Sequence, residues 1–239
     1  MRHIPRFYCP DLILAADQTV RLPDHAAHHA RNVLRLRDGG EIKLFNARDG
    51  EWTGSASFPD RRNIDVTLQE KIAATETLPD VTLVLAPLKN KDSFDNAIRH
   101  AVELGVTQIQ LVLTERTQQA KLNEDRLQQQ IIDAVQQCGR LTVPQLSLPV
   151  KLETLLKNWP ADKALLPCVE GDTTRAKPLK NVLAQVKAPL AILIGPEGGF
   201  SPAEKNALTV PDSRFHPVSL GDLILRSDTA VAAALAIML

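Results

Sequence analysis

The feature that most constrains the fold is a short apolar segment that runs directly into a glycine-rich loop. Residues 190–194 read LAILI, and residues 195–199 read GPEGG. A continuous apolar run of this length is typical of a strand buried on both faces of a parallel sheet. Ser201, Pro202 and Glu204 then stand in the order of an N-cap, a first helical residue and a capping-box acid, so they predict the start of a helix. Ligands of open α/β sheets bind where the strands end, and this loop is therefore a candidate ligand site.

The hydrophobic period changes near residue 73 and divides the chain into two regions. Upstream, Ile64, Val66 and Leu68 alternate with polar residues as in a half-buried strand, whereas apolar strands and helical stripes alternate downstream. The predicted strands are 41–45, 51–58, 63–68, 81–86, 109–113, 144–148, 164–167, 190–194 and 215–220. The predicted helices include 24–36, one that ends at Gly105, one capped by Asn123 and one capped by Ser201. We predict a small β-barrel domain at 1–72 and an α/β domain at 73–239.

Composition places the chain among globular proteins, with 44% hydrophobic and 23% charged residues. No apolar stretch approaches the roughly eighteen residues that a membrane span needs, and the N-terminus lacks the apolar segment of a signal peptide. Cys9, Cys138 and Cys168 are far apart and suit free thiols in a reducing cytosol, and no Cys/His cluster has zinc spacing. We therefore expect a cytoplasmic protein that binds neither a membrane nor a metal.

Arginines are concentrated in the first region, although the net charge of the chain is zero. Residues 1–72 hold more than half of the arginines but only two lysines. Arginine favours bidentate contacts with phosphate and stacks on bases, so this bias indicates RNA binding. The candidate contacts are Arg6, Arg31, Arg35 and Arg37. Acidic residues in the same region almost cancel the charge, and a solvated surface remains the alternative.

The sequence of the glycine loop narrows the choice of ligand. It lacks the Gly-Lys-Ser/Thr of a Walker A loop and the Gly-x-Gly-x-x-Gly of a dinucleotide site, and Glu197 would repel a nearby phosphate. A cationic, phosphate-free cofactor with an adenosine part fits better. A purely structural turn is the alternative.

A second glycine-containing segment, 219–230, leads into an apolar tail at 231–239. The tail is apolar all round but too short to span a membrane, so we expect it to be buried in the fold or against a partner subunit. Arg226 enters at the start of this helix, where a guanidinium needs an anionic or carbonyl partner. An internal ion pair is the alternative to a functional role for Arg226.

These two segments resemble the SPOUT class of methyltransferases and, more narrowly, the RsmE family of 16S rRNA (uracil(1498)-N(3))-methyltransferases. The motifs are 194–201 with Glu204, and 220–230. Further matches are Pro5–Tyr8, His28–His29, Val33–Arg35, Leu44–Asn46, Glu103–Val106 and Gln136–Arg140. Asp228 stands where the family usually has glutamate, and Cys138 where it usually has serine.

The resemblance implies a PUA-like barrel followed by a SPOUT α/β methyltransferase domain with a C-terminal trefoil knot. It also implies a homodimer that uses S-adenosyl-L-methionine to methylate 16S rRNA of the small ribosomal subunit. The implied cofactor contacts are Leu166, Ile194, Gly195, Pro196, Glu197, Gly198, Leu220, Gly221, Ile224, Leu225, Arg226, Thr229 and Ala230. Arg226 is the implied catalytic residue, set to stabilise charge on the uracil, and Arg140 joins the candidate RNA contacts. Asp228 is either a proton acceptor or, as we favour, a helix cap.

Three other functions remain open at this point. The chain could be a non-catalytic RNA-binding or ribosome-assembly protein that kept the fold. It could be a nucleotide-dependent enzyme, which the missing Lys-Ser/Thr pair disfavours. It could also be a SPOUT enzyme that acts on transfer RNA.

Overall fold

The chain folds into two compact units, which a computed structural model describes for residues 4–75, 77–118, 122–169 and 176–238. The first unit comprises Met1–Thr77 and Val135–Val143, and the second comprises Leu78–Ala134 and Pro144–Leu239. The short segment Val135–Val143 thus packs with the first unit. The domain boundary between residues 72 and 73 remains a prediction.

A five-stranded sheet with the order β1-β3-β4-β5-β2 forms the first unit. β1 is parallel to β3, and the other neighbouring pairs are antiparallel. The elements are β1 Arg6–Tyr8, β2 Thr19–Arg21, α1 Asp24–His28, a π-helical turn His29–Val33, β3 Glu41–Asn46, β4 Gly50–Ser57 and β5 Asp65–Ala73. Ile64, Val66 and Leu68 are fully buried, which confirms the alternation read from the sequence.

The predicted helix over 24–36 is helical only as far as Val33, and its second part is π-helical and not α-helical. α1 ends at His28, and the chain continues through the π-helical turn, after which Arg35 adopts a left-handed conformation with φ of 53°. The Leu36 N–H donates to the Ala30 carbonyl at 2.9 Å, and Gly39 and Gly40 pair with Ala56. The chain must therefore turn toward β3 and β4, which a longer straight helix would prevent.

The second unit is built on a parallel sheet with the order β8-β7-β6-β11-β9. Its elements are β6 Val81–Leu85, α2 Lys91–Glu103, β7 Gln108–Leu113, α3 Glu124–Cys138, β8 Gln145–Lys151, α4 Leu152–Lys157, β9 Ala164–Pro167, β10 Lys177–Pro178, α5 Leu179–Leu183, β11 Leu190–Ile194, α6 Pro202–Thr209, β12 Val218–Ser219 and α7 Ser227–Met238. All five residues of β6 and of β11 are buried, which confirms both as central strands.

The predicted strand 215–220 is shorter in the structure. Only Val218 and Ser219 form β12, which pairs in parallel with β10 outside the main sheet. Pro217 lacks the N–H that a ladder residue donates, and Phe215 makes only an isolated bridge to Leu165. Across the described ranges, no helix is long and apolar enough to cross a membrane.

Candidate functional site

The candidate site lies where β6, β7 and β11 end beside one another. The strands are parallel neighbours, so their following loops emerge at the same edge of the sheet. These loops are 86–90 after β6, 114–118 after β7, and 195–201 after β11, and we call the last one the glycine loop. The glycine loop therefore has a neighbouring loop from each of two adjacent strands.

Two glycines set the shape of the glycine loop. Gly199 has φ of 64°, and its N–H donates to the Pro196 carbonyl at 2.8 Å, which closes a tight turn. A Cβ at Gly195 would lie 3.0 Å from the Phe200 ring, so a larger residue there would displace that buried ring. The loop is thus fixed by local packing before any ligand binds.

Glu197 anchors the glycine loop to the start of α2. Its two carboxylate oxygens each accept a backbone hydrogen bond of 3.2 Å, one from Lys89 and one from Asn90. Asn90 is the N-cap of α2, so the carboxylate lies at the positive end of the helix dipole. This geometry gives the Glu197 side chain a positioning role, and the cofactor contact that the resemblance implies for Glu197 remains a prediction.

The loop after β7 braces the other side of the glycine loop. Arg116 donates from Nη1 to the Gly198 carbonyl at 2.8 Å. Glu204 accepts from the backbone N–H groups of Glu115 at 2.7 Å and Ser201 at 2.8 Å, and the Ser201 hydroxyl accepts from the Glu204 N–H. The predicted capping box is therefore confirmed. Sequence reasoning missed Arg116, because nothing near it in the chain indicates which loop it meets.

A hydrogen bond joins the glycine loop to the start of α7. The Ser227 hydroxyl donates to the Gly195 carbonyl at 3.1 Å, and α7 packs against β11 and α2. Residues 220–226, which we call the second loop, lead into α7 and so end beside the glycine loop. Leu223 and Ile224 within it are 81% and 84% exposed. The two segments singled out in the sequence are therefore neighbours in space.

The Arg226 side chain is exposed at the start of α7. Within the described residues, no carboxylate or carbonyl is hydrogen-bonded to its guanidinium, so the internal ion pair considered above is not formed there. Asp228 Oδ1 is buried and has no hydrogen-bond partner in the same ranges. The helix-capping role favoured for Asp228 is thus not performed by this oxygen.

The other residues implied as cofactor contacts differ in exposure. Leu166 and Ile194 are buried within β9 and β11, and Pro196 is buried in the glycine loop. Leu220 and Leu225 are half-buried, Gly198, Gly221 and Thr229 are exposed, and Ala230 is buried in α7. Their roles toward a cofactor remain predictions.

Arg6 was predicted to contact RNA, but its side chain is only 9% exposed and is fully engaged within the protein. It donates to Glu51 Oε1 at 2.8 Å, and its two terminal nitrogens donate to carbonyls at the end of α3. These carbonyls are those of Val135, Gln136, Gly139 and Arg140. The guanidinium also lies 3.6 Å from the centre of the Phe45 ring. Arg6 is therefore a structural clamp within the first unit.

The remaining candidate RNA contacts fall into two groups. Arg35 and Arg37 are exposed. Arg31 is half-buried and donates to the carbonyls of Asp60 and Asn63, and Arg140 is buried and donates to Thr142. Only the first group presents free cationic surface to a ligand.

Comparisons with known proteins decide the family. A model described as an RNA methyltransferase domain matches residues 75–239, and one described as an RNA methyltransferase PUA domain matches residues 22–69. Ribosomal RNA small subunit methyltransferase E of Rickettsia conorii is 31% identical over 93% of this chain and 90% of its own length. This chain belongs to the ribosomal RNA small subunit methyltransferase E family. The Synechocystis member is 33% identical over 95% of this chain and 74% of its own length.

Solved structures of similar proteins contain the cofactor that the resemblance implies. The family member from Neisseria gonorrhoeae, bound to S-adenosyl methionine, is 31% identical with a TM-score of 0.84, covering 99% of this chain and 97% of that one. A putative methyltransferase from Legionella pneumophila in complex with the same cofactor is 28% identical, with a TM-score of 0.84 and the same coverage. The α/β methyltransferase fold with a PUA domain is thereby established for this chain. No cluster of metal-binding side chains occurs in the described part of the chain.

Proposed function

We propose that this protein transfers a methyl group from S-adenosyl-L-methionine to N3 of one uridine in 16S rRNA, at the position equivalent to uracil 1498. The observation that carries the proposal is the Ser227–Gly195 hydrogen bond, because it brings the glycine loop and the second loop together. Family membership supports the reaction class, and the names of the relatives specify small-subunit ribosomal RNA.

The chemistry of the two loops suits a cationic cofactor without phosphate. Residues 195–201 contain no lysine or arginine, and the charge of Glu197 is directed into the N-terminus of α2. Leu220, Ile224 and Leu225 provide apolar surface for an adenine. Backbone groups of Gly195, Gly198 and Gly221 would hold the polar parts of the molecule. The bound cofactor supplies an electrophilic methyl group on a positively charged sulfur.

We assign Arg226 to the acceptor base. N3 of uracil carries a proton at neutral pH, and transfer of that proton to solvent leaves negative charge shared by N3 with the carbonyl oxygens O2 and O4 of the base. An exposed guanidinium that is not bonded to the described protein can donate to such an oxygen, and this stabilises the charge as it develops. The target base must leave any stack to reach this position.

The proposal also includes the finer architecture implied by the family. A C-terminal trefoil knot of the SPOUT class belongs to this proposal, and two parallel bridges support it, one from Leu165 in β9 to Phe215 and one from Cys168 to Val218 in β12. The sheet of the first unit would close as a PUA-like barrel. Two copies would associate through the exposed side of α7, and the enzyme would act in the cytoplasm on the small ribosomal subunit.

Two measurements test the function and separate its rivals. Nucleosides from 16S rRNA of cells lacking this protein should lose N3-methyluridine at one position, by mass spectrometry, and should regain it when the gene is restored. Calorimetry of the purified protein should give heat with S-adenosyl-L-methionine and none with ATP. A protein that gives no heat with S-adenosyl-L-methionine would be an RNA-binding or assembly factor. If the deleted cells instead lost a methyl group from transfer RNA, the substrate would be transfer RNA and not 16S rRNA.

Substitution of Arg226 tests its assigned role. Arg226→Ala should abolish methyl transfer to small subunits but leave the affinity for S-adenosyl-L-methionine within about threefold, because loss of a charge-stabilising donor costs about 10²–10³ in rate. Arg226→Lys should recover only part of the rate, since lysine lacks the planar fork. Normal turnover of Arg226→Ala would remove this residue from the mechanism.

A further inference from the structure

In the first unit we propose that a composite surface of four exposed arginines around an exposed apolar pair is the RNA-docking ridge of this enzyme. The arginine ridge consists of Val33, Leu34, Arg35, Arg37, Arg61 and Arg62. Arg61 and Arg62 carry no sequence motif, and the fold places them here. The inference rests on the proposed function and specifies how its RNA substrate is held.

The π-helical turn exposes the apolar pair. Val33 ends that turn and is 62% exposed, and Leu34 follows it at 39% exposed. π-helical turns are rare and are frequent at functional sites. Arg35 comes next with φ of 53°, a conformation that few non-glycine residues adopt and that is enriched at functional sites. Two exposed apolar side chains are thus followed directly by the exposed arginines at 35 and 37.

Arg31 brings the second pair of arginines to this segment. Its Nη2 donates to the carbonyls of Asp60 at 3.1 Å and Asn63 at 3.0 Å, and its guanidinium lies 4.5 Å from the centre of the Phe58 ring. The turn 60–63, which carries the exposed Arg61 and Arg62, is thus held within one side-chain length of the π-helical turn. A further bond from the Phe58 N–H to Asp38 at 2.9 Å ties the two segments together beyond Arg37.

The acidic groups of the ridge leave its positive charge in excess. Asp60 accepts hydrogen bonds from the N–H groups of Arg62 and Asn63 and from the Asn63 side chain. These bonds, with the one from the Asn63 N–H the largest, lower the pKa of Asp60 to about 2, so Asp60 stays ionised and accepts within its own turn. Asp38 accepts from the Phe58 N–H. The segments 31–38 and 60–63 together contain five arginines and these two acids.

RNA is the occupant that this chemistry fits best. Guanidinium groups pair with phosphates in a bidentate manner, and an exposed apolar pair offers a face to a base or ribose that has left its stack. All six residues lie within the matched RNA methyltransferase PUA domain. A second copy of this chain would instead require an acidic surface to oppose the arginines.

Binding to small ribosomal subunits from cells lacking the protein tests the ridge. The Arg61→Gln/Arg62→Gln variant should weaken binding at least tenfold and reduce the slope of log affinity against log salt by about 1.5, since each phosphate contact contributes about 0.7–0.9. Val33→Ser/Leu34→Ser should weaken binding with the slope unchanged, because it removes no charge. Thermal unfolding of each variant verifies that the first unit remains folded.

Lys71→Gln is the matched control. Lys71 is exposed on β5, about 20 Å along the strand from Asp65 and the turn 60–63, so both affinity and slope should remain those of wild type. Unchanged binding by the folded Arg61/Arg62 variant, while wild type still methylates subunits, would overturn the ridge but not the function. A wild-type protein without cofactor binding or methylation would overturn the proposed function itself. Sedimentation of the variants tests whether the ridge joins two copies of the chain instead. In that case the substitutions would change the oligomeric state, which would overturn the assignment to RNA.

Discussion

Single residues in this protein hold loops by bonding to backbone groups of other loops. Glu197 is the clearest case, because its carboxylate accepts from two N–H groups at the start of α2 while its own backbone forms the glycine loop. Arg116 and Ser227 do the same from two other directions, through the carbonyls of Gly198 and Gly195. The shape of the glycine loop is therefore set by three side chains, and two of them lie outside the loop sequence.

Removal of the Glu197 carboxylate should loosen the glycine loop. Hydrogen bonds to a charged group are each worth about 1.5–3 kcal/mol, so Glu197→Ala should raise the Kd for S-adenosyl-L-methionine about tenfold or more, and Glu197→Gln by less. Calorimetry measures both. Lys89→Ala is the matched control, since Lys89 contributes only its backbone N–H and should bind normally. Equal Kd values for wild type and Glu197→Ala would show that this anchor has no part in cofactor binding.

Charged side chains fix the positions of two elements, the end of α3 and the β3–β4 hairpin. At the end of α3 and just beyond it, Arg6 donates from β1 to the carbonyls of Val135 and Arg140 while it pairs with the buried Glu51. The hairpin between β3 and β4 depends in a similar way on Asp49. Its carboxylate accepts from the Leu14 N–H at 3.0 Å, from Asn46 and from Arg48. In both cases a charged group links segments that are distant in the sequence.

Loss of the Arg6 clamp should strongly destabilise the first unit. Arg6→Ala leaves Glu51 buried without its counter-charge, and breaking a buried pair in this way costs about 3–5 kcal/mol. Chemical denaturation should show this loss, and Arg6→Lys should recover part of it. The exposed Arg37→Ala should leave stability unchanged. If Arg6→Ala were as stable as wild type but weaker in RNA binding, the original prediction of an RNA contact would be correct.

The Asp49 hairpin should make part of the stability dependent on acid pH. The hydrogen bond with Arg48 is the largest cause that holds the pKa of Asp49 well below its ordinary 3.8, so the folded state favours the ionised form. This stabilisation is complete above the ordinary value and declines as pH falls below it toward the folded pKa. Asp49→Asn should therefore unfold at a lower temperature than wild type at pH 7, and the gap should narrow between pH 4 and pH 2. A gap that is constant with pH would exclude this charge effect.

At the scale of the whole molecule, the last helix is buried on one side only. Ala230, Val231, Ala234 and Leu235 of α7 are buried, whereas Ala236 is exposed and Ile237 is 47% exposed. The expectation that the apolar tail is covered by the fold is thus correct for one side of the helix. The exposed side of α7 is the surface through which the second copy would bind in the proposed homodimer.

A charge on that exposed side should dissociate the dimer. Ile237→Asp would bury an unpaired carboxylate in an apolar interface, so we expect wild type to sediment as a dimer and the variant as a monomer at micromolar concentration. Val210→Asp, at another exposed apolar position of the second unit, should remain dimeric. A monomeric wild type would contradict the proposed homodimer without affecting the fold of the chain.

The sequence by itself determined the features that depend on local chemistry. The strand 190–194, the capping box at Ser201 and Glu204, and the buried alternation over 64–68 follow from periodicity and from hydrogen bonds within a few residues, and the structure confirms them. The division into a β region and an α/β region followed from the same periodicity. Motif resemblance, with no help from geometry, indicated the family.

Only the tertiary structure decided which long-range partners the charged side chains take. Four arginines of the first region, Arg6, Arg31, Arg35 and Arg37, have the same residue type, yet the first two bond inside the protein and the other two face solvent. Glu197 likewise takes its partners, the N–H groups of Lys89 and Asn90, from a segment about 107 residues away in the sequence. A long charged side chain bonds to whichever carbonyl or N–H the packing of distant elements brings within about 3 Å, and no local pattern encodes that distance.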